Sequence, residues 1–166
     1  KVLNQSIEYK DSVYIRLTAG PNTKIINNDE YDFEIGKAVE ILPGKDVVIF
    51  SCGNIISNCL EAASILKEKN IDCSVVNIHT IKPIDAEAIL EKSKDKKLVI
   101  TVEEHNVIGG LGSAVAEVLS NETLKCKLKR IGINDYYSSG GSYEYLKNIY
   151  GLSSEKIIQT ILSNIS

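Results

Sequence analysis

The 166-residue sequence contains no methionine, even at its first position. Because translation begins with methionine, we expect the chain to be a fragment or a processed piece of a longer protein. No apolar run approaches the ~18 residues that span a bilayer. The first residues, KVLNQSIEYKDS, also lack the charged-then-apolar layout of a signal peptide. We therefore expect no membrane segment and a cytoplasmic location.

Metal-binding cysteine pairs and excess charge are also missing. The four cysteines form no CxxC pair and lie in or beside apolar stretches: Cys52, Cys59, Cys73 and Cys126. This usage predicts small buried side chains in a reducing compartment and no metal site. A formal net charge of -3 offers no surface for a polyanion, so we do not expect a nucleic-acid partner. The length and the 43% hydrophobic content favour one globular domain.

From Asp46 onward, short apolar runs alternate with segments of helical period. The runs predict strands at VVIFSC (47–52), CSVVNI (73–78), LVITV (98–102) and CKLKRIGI (126–133), with KAVEIL (37–42) as a possible edge strand. Helices are predicted over 55–67, from Asp85 as N-cap to 91, and over 112–119, 143–149 and 153–163. Apolar strands separated by helices indicate an α/β protein of three layers, with parallel strands joined by right-handed crossovers.

The pattern changes upstream of these units. SVYIRL (12–17) predicts another strand, but TAGPNTKIINNDEYD (18–32) contains turn signals without periodicity and is interpreted as a linker. We therefore expect this strand to belong to a structural unit further upstream, most of which is missing from the sequence.

The stretch VEEHNVIGGLGSAVAEVL (102–119) concentrates carboxylates, a histidine and glycines before a predicted helix. A dinucleotide fingerprint needs a third glycine and a Walker loop needs a lysine, and both are missing here. The helix N-terminus could still attract an anion. The simpler interpretation, which local physics favours, is a tight glycine turn with Glu103 and Glu104 ending a strand in solvent.

Both histidines are candidate catalytic residues. Glu103 or Glu104 could orient the His105 imidazole, and His79 lies at the carboxyl end of a strand, where α/β sheets bind ligands. A structural or surface role is favoured for each, because no partner nucleophile is evident nearby in the sequence.

Four ordered motifs carry a family resemblance: HTIKPID (79–85), TVEEHNVIGGLGSAVAE (101–117), RIGIND (130–135) and YEYLKNIYGLSSEKII (143–158). From about Tyr31 to the end, the chain resembles the C-terminal domain of transketolase-type thiamine diphosphate enzymes. The resemblance implies a five-stranded mixed sheet of order 1-3-2-4-5 whose first strand is antiparallel. It also implies that residues 1–32 are the tail of a pyrimidine-binding domain plus linker, and that residues 33–166 are the C-terminal domain.

Transketolases, deoxyxylulose-phosphate synthases and the beta subunits of 2-oxo acid dehydrogenases share this domain. The EEH triplet (103–105) and His79 are most similar to bacterial transketolases encoded as two subunits, and the other two families remain alternatives. An alternative of another class is a stand-alone ligand-binding or regulatory module. The upstream segment SVYIRLTAGP argues against it, because a free-standing module would not need the tail of another domain.

The resemblance implies an enzyme that transfers a two-carbon ketol unit between sugar phosphates, using thiamine diphosphate and a divalent metal. Since the family's cofactor-activating and metal-binding residues lie in other domains, we expect this chain to bind neither group and to be inactive alone. It would act as a scaffold and dimerisation domain, in a homodimer or with a paired N-terminal subunit. Arg16 aligns with an arginine that contacts the sugar-phosphate substrate, and a guanidinium can hold a phosphate bidentately.

Two sets of site residues follow from the resemblance. A structural or interface loop would contain Glu103, Glu104, His105, Gly109, Gly110 and Gly112. The implied strand order also reverses the winding of the sheet between 47–52 and 98–102, where open α/β sheets tend to bind ligands. A crevice for a small polar ligand or anion is predicted there, lined by Ser51, Gly53, Asn54, Glu104 and His105.

Overall fold

The computed structural model describes residues 1–17, 31–123 and 126–165. The strands in this part of the chain are β1 (Val39–Leu42), β2 (Val47–Ser51), β3 (Cys73–Asn77), β4 (Leu98–Asn106) and β5 (Lys127–Ile133). The helices are α1 (Val2–Glu8), α2 (Ile56–Glu68), α3 (Ala86–Ser93), α4 (Leu111–Ser120), α5 (Tyr143–Ile149) and α6 (Ser154–Leu162). A 3-10 turn at Gly53–Ile55 leads into α2.

The five strands form one mixed sheet in the order β1-β3-β2-β4-β5. β1 runs antiparallel to β3, whereas the β2–β3, β2–β4 and β4–β5 pairs are parallel. The predicted α/β class, the strand order and the antiparallel edge strand are all confirmed.

Each face of the sheet is covered by helices, so each has its own apolar core. Val47 and Ile49 of β2 point to the side of α2 and α6, while Val48 and Phe50 point to the side of α3 and α4. All of β2 is buried, as expected for a central parallel strand between two helical layers.

Side-chain caps fix the starts of several helices. The predicted cap at Asp85 is confirmed, since its Oδ1 accepts a hydrogen bond from the Ala88 amide at 3.1 Å. Its Oδ2 accepts from the Ala38 amide at 2.9 Å, so the same carboxylate joins α3 to the entry of β1. Ser142 and Ser153 cap α5 and α6 in the same way.

One local prediction is wrong, and one helix was not predicted. Residues 12–17 belong to no strand within the described part of the chain, and the helix α1 precedes them. The apolar run SVYIRL has no strand to pair with there. The helix α1 is only seven residues long and buries none of them, so its few apolar residues are too short a pattern to predict a helix. Most of the predicted linker 18–32 lies outside the described residues, so a domain boundary near 32 stays a prediction.

β4 is four residues longer than predicted. Glu103, Glu104 and His105 therefore lie in the strand and not in the loop that follows it. In the described part of the chain, no helix has the length and apolarity to cross a membrane.

Candidate functional site

The winding of the sheet reverses between β2 and β4, whose carboxyl ends meet at Ser51 and Val102. The buried Ser51 hydroxyl donates a hydrogen bond to the Val102 carbonyl at 2.8 Å. Beyond it, Gly53 begins the 3-10 turn with a φ of 74°, a conformation that favours glycine. The Asn54 carbonyl accepts a bond from the Ser57 hydroxyl. Ser51, Gly53 and Asn54 thus form the end of β2 and the entry to α2, and ligand binding beside them stays a prediction.

Glu103, the first residue of the EEH triplet, is a buried carboxylate residue that is only 1% exposed. Its Oε2 accepts a hydrogen bond from the Leu111 amide at 2.7 Å, and its Oε1 accepts one from the Gly112 amide at 2.8 Å. These amides belong to the first turn of α4 and have no partner inside the helix. The carboxylate also faces the positive end of the helix dipole. The chain itself therefore supplies an anion at this helix start, and the interpretation that Glu103 ends its strand in solvent is wrong.

The glycines after β4 make room for this carboxylate. A Cβ added at Gly110 would lie 2.0 Å from Glu103 Oε2 and 2.9 Å from the Asn106 carbonyl oxygen. A Cβ at Gly112 would lie 2.8 Å from Thr101 Oγ1, whereas one at Gly109 would meet nothing, although its φ of 76° favours glycine. The glycines thus allow the turn and the close approach of α4 to β4, as the simpler interpretation proposed.

Glu104 points to the other side of β4 and connects the strand to α5. Its Oε1 accepts a hydrogen bond from the Tyr143 hydroxyl, and the Tyr143 ring lies under the Lys147 ammonium, with Nζ 4.8 Å from the ring centroid. Burial and the Glu104 carboxylate raise the pKa of Tyr143. Lys147 is itself buried and forms an ion pair with Glu144 at 2.9 Å. Glu104 therefore has a structural partner at the edge of the predicted crevice.

His105 is exposed, and its Nδ1 lies 2.9 Å from the carbonyl oxygen of Asn106. The His105 ring is thus held by a neighbouring backbone carbonyl. The Glu103 carboxylate is bound by two backbone amides of α4 and does not orient the ring. The structure therefore does not assemble a histidine–carboxylate pair from the EEH triplet.

Cys52, just after β2, lies where several predicted site residues come near one another. Burial and, to a smaller extent, the Glu103 and Glu104 carboxylates raise the pKa of its thiol to about 11, against a small opposing effect of the Arg16 guanidinium. The exposed Arg16 thus lies close enough to the carboxyl edge of the sheet for its charge to act there. Burial also raises the pKa values of Cys59 and Cys73 to about 12, so these thiols stay protonated and unreactive near neutral pH.

His79 stands apart from the other site residues, beyond the end of β3. Its ring stacks on Phe33 with 4.4 Å between centroids, and its Nδ1 lies 2.8 Å from the Thr80 hydroxyl. Burial lowers its pKa, and the nearby Lys37 backbone partly opposes that shift. Gln5 in turn bonds to the Phe33 carbonyl and the Ile35 amide. His79 therefore joins the segment before β1, and through it α1, to the sheet.

A groove of about 490 Å³ lies between α4 and the segment before α3, and is here called the α4 groove. It is lined by apolar and small residues, among them Ile81, Ile84, Ser113, Ala114 and Val118. Lys82 and Glu117 also line it. No local sequence pattern predicts this groove, because its two walls come from different βα units.

Comparison with known proteins places these features in a family. Residues 36–157 match the family model described as "Transketolase, C-terminal domain". The chain belongs to the transketolase C-terminal domain family. It is 44% identical over 166 residues to the putative transketolase C-terminal section of Methanocaldococcus jannaschii, covering 99% of this chain and 51% of that protein. It is 37% identical over 164 residues to an apulose-4-phosphate transketolase subunit of Actinobacillus succinogenes, covering 98% of this chain and 52% of that protein.

A solved split-gene transketolase, described as an inactive beta4 tetramer, superposes on 99% of this chain and 53% of its own, with a TM-score of 0.90 and 35% identity. The chain thus spans about half the length of the relatives it matches. Deoxyxylulose-phosphate synthases match as a related family.

Proposed function

We propose that this chain is the C-terminal part of a transketolase subunit, and that its partner is a separate N-terminal subunit. The complete enzyme would transfer a two-carbon ketol unit between sugar phosphates with thiamine diphosphate and a divalent metal. The 166-residue chain would supply scaffolding and subunit contacts, and would be inactive alone. We favour this assignment over the dehydrogenase and synthase alternatives because of the names of its relatives. Several proteins that the chain matches over about half of their length are named as transketolase sections or subunits.

The observation that carries the scaffold role is the use of Glu103. In the EEH triplet, the best-placed carboxylate for general acid–base work is buried and bound by two backbone amides of α4. A group held in this way orders the strand–helix junction, and its burial keeps it from contact with a substrate in solution. The motif that most resembles an active site thus has a structural use.

The residues present do not offer a site for the cofactor's diphosphate and metal. Within the described part of the chain, no group of three or more histidine, cysteine, aspartate or glutamate side chains could hold a metal ion. The start of α4, an otherwise suitable anion site, is taken by Glu103. We therefore assign no step of the reaction to these residues.

Arg16 is the exception that the resemblance suggests, as a contact to the substrate phosphate. Its exposure and its position near the carboxyl edge of the sheet are compatible with that role. We also propose that the chain self-associates, by analogy with the similar subunit solved as a beta4 tetramer.

A ketol-transfer assay tests the proposal. Xylulose 5-phosphate and ribose 5-phosphate would be given to the complete parent subunit mixed with its N-terminal partner, and separately to this chain alone. We expect turnover by the mixture and none by the chain. Turnover by the chain alone would overturn the scaffold role, and an inactive mixture would favour the dehydrogenase or synthase alternative.

A further inference from the structure

The α4 groove has the chemistry of a packing surface and lacks that of a polar binding site. Its polar groups already have partners: the Ser113 hydroxyl accepts bonds from the Gly109 amide and from Arg130 Nη1, and it donates to the Val107 carbonyl. The Asn121 amide likewise donates to the Glu117 carbonyl. A small polar ligand would find few free donors here, whereas an apolar surface would lose nothing by covering them.

Small residues line the partly exposed side of α4 that faces the groove. Gly110, Ser113, Ala114 and Val118 recur at the three- and four-residue spacing of one helix face. The side chains of Ser113 and Ala114 are small and partly exposed, so another surface can approach the helix closely there. Ile81, which is 39% exposed, and Ile84 form an apolar wall beside them.

The charges at the groove are self-complementary. Lys82 lies on the wall before α3 and Glu117 lies on α4, and both are exposed. Neither takes part in an ion pair within residues 1–17, 31–123 and 126–165. A two-fold contact buries the same patch on both subunits. If Lys82 of the first copy meets Glu117 of the second, then Glu117 of the first copy also meets Lys82 of the second.

From these observations we infer that the α4 groove binds a second copy of this chain, across a two-fold axis near Ala114, with Lys82 of each copy paired to Glu117 of the other. The inference rests on the proposed self-association and adds the surface that performs it. It does not depend on ketol transfer, so the two can fail separately.

Disulfide trapping at position 114 tests the position of the axis. Ala114→Cys, in a chain that also carries Cys52→Ser and Cys126→Ser, should form a disulfide-linked dimer on mild oxidation. A residue on a two-fold axis lies next to the same residue of the other copy, so two cysteines would meet there. The control is Ser64→Cys, which is exposed on α2 at the opposite face of the sheet and should not cross-link. No cross-link at 114 from a chain that sediments as a dimer would overturn the inference.

Charge exchange tests the pairing. Lys82→Glu and Glu117→Lys should each weaken self-association in sedimentation equilibrium, by about tenfold if the pair lies in the desolvated centre of the contact. Mixing the two variants should restore a dimer, because the mixed dimer contains two unlike pairs and each pure one contains like pairs. Equal unfolding midpoints would show that both variants fold. A mixture that stays monomeric would overturn the pairing.

The competing occupant is the N-terminal partner subunit. If Ala114→Arg leaves self-association unchanged but prevents binding of that subunit, the groove belongs to the partner and the inference is wrong. If Ala114→Arg produces monomers while the conservative Ala114→Ser stays dimeric, the second copy is supported. Ketol transfer by the wild-type mixture is measured in parallel, and its loss would bear on the proposed function alone.

Discussion

At the scale of single residues, Glu103 determines how the glycine-rich stretch folds. Its two carboxylate oxygens accept hydrogen bonds from two amides at the start of α4. Glu103→Gln keeps the shape but replaces one acceptor with an amide that cannot accept, so one buried backbone N–H loses its partner. We expect unfolding to become easier by about 1–3 kcal/mol, measured by urea denaturation.

Glu104→Gln is the matched control for that substitution. Its remaining carbonyl oxygen can still accept from the Tyr143 hydroxyl, and the site is only half-buried. The expected change is within about 0.5 kcal/mol. Equal effects of the two substitutions would contradict the capping role of Glu103.

Gly110 is required because of space. A methyl group there would overlap the Glu103 carboxylate and press on the Asn106 carbonyl oxygen, which belongs to the end of β4. Gly110→Ala should therefore destabilise the fold by about 1–3 kcal/mol, the usual cost of overpacking. Gly140→Ala adds the same methyl group where nothing lies within 4 Å, and should leave the urea midpoint nearly unchanged. A similar loss in both variants would contradict crowding by Glu103 as the cause, because Gly140 has no neighbour for the methyl group to meet.

At the scale of elements, the contact between Phe33 and His79 attaches the segment before β1 to the end of β3. Burial lowers the pKa of His79 below its ordinary 6.5. The unfolded chain therefore binds a proton more readily than the folded chain in the window just below pH 6.5. Stability should fall as the pH drops through that window, because protonation favours the unfolded state.

Urea denaturation at pH 7.5 and pH 5.5 measures this effect. The loss of stability on acidification should be smaller in His79→Phe, which keeps an aromatic ring against Phe33 but does not titrate. The difference between the two proteins isolates His79 from the other titrating groups, and an equal loss in both would contradict the contribution of His79.

Most of the strands and helices could be predicted from the sequence. Apolar runs and helical periods located the five strands and five of the six described helices, and Asp85 was recognised as a cap by residue type and position. The strand order came from the family resemblance, since local periodicity does not determine which strands pair. The helix α1 is only seven residues long, too short for its apolar residues to show a helical period.

The site was less predictable, because its contacts join residues that are distant in sequence. Tyr143 is 39 residues from Glu104, and Phe33 is 46 residues from His79. The burial of Glu103 did leave a signal. Strand alternation from Val99 and Thr101 places Glu103 on the α4 side of the sheet, and Gly110 and Gly112 leave room for it there. That combination indicates a cap only if β4 continues past Val102, whereas the apolar run that marks the strand ends there.

At the scale of the whole molecule, two regions of the chain have proposed roles. The α4 groove, on the α3 and α4 side of the sheet, is the proposed surface for self-association. Arg16, whose charge acts on Cys52 just after β2, is the proposed contact to the substrate phosphate.

The proposed role of Arg16 leads to a kinetic prediction for the complete two-subunit enzyme. If Arg16 holds the substrate phosphate, Arg16→Ala removes a charge-assisted contact made in both the ground state and the transition state. KM for ribose 5-phosphate should then rise by about tenfold or more with little change in kcat. KM for glycolaldehyde, an acceptor without phosphate, should not change, and neither value should change in Lys10→Ala, an exposed cation upstream of Arg16 in the same segment. An equal rise for both acceptors would assign Arg16 a structural role, because only a phosphate contact distinguishes the two substrates.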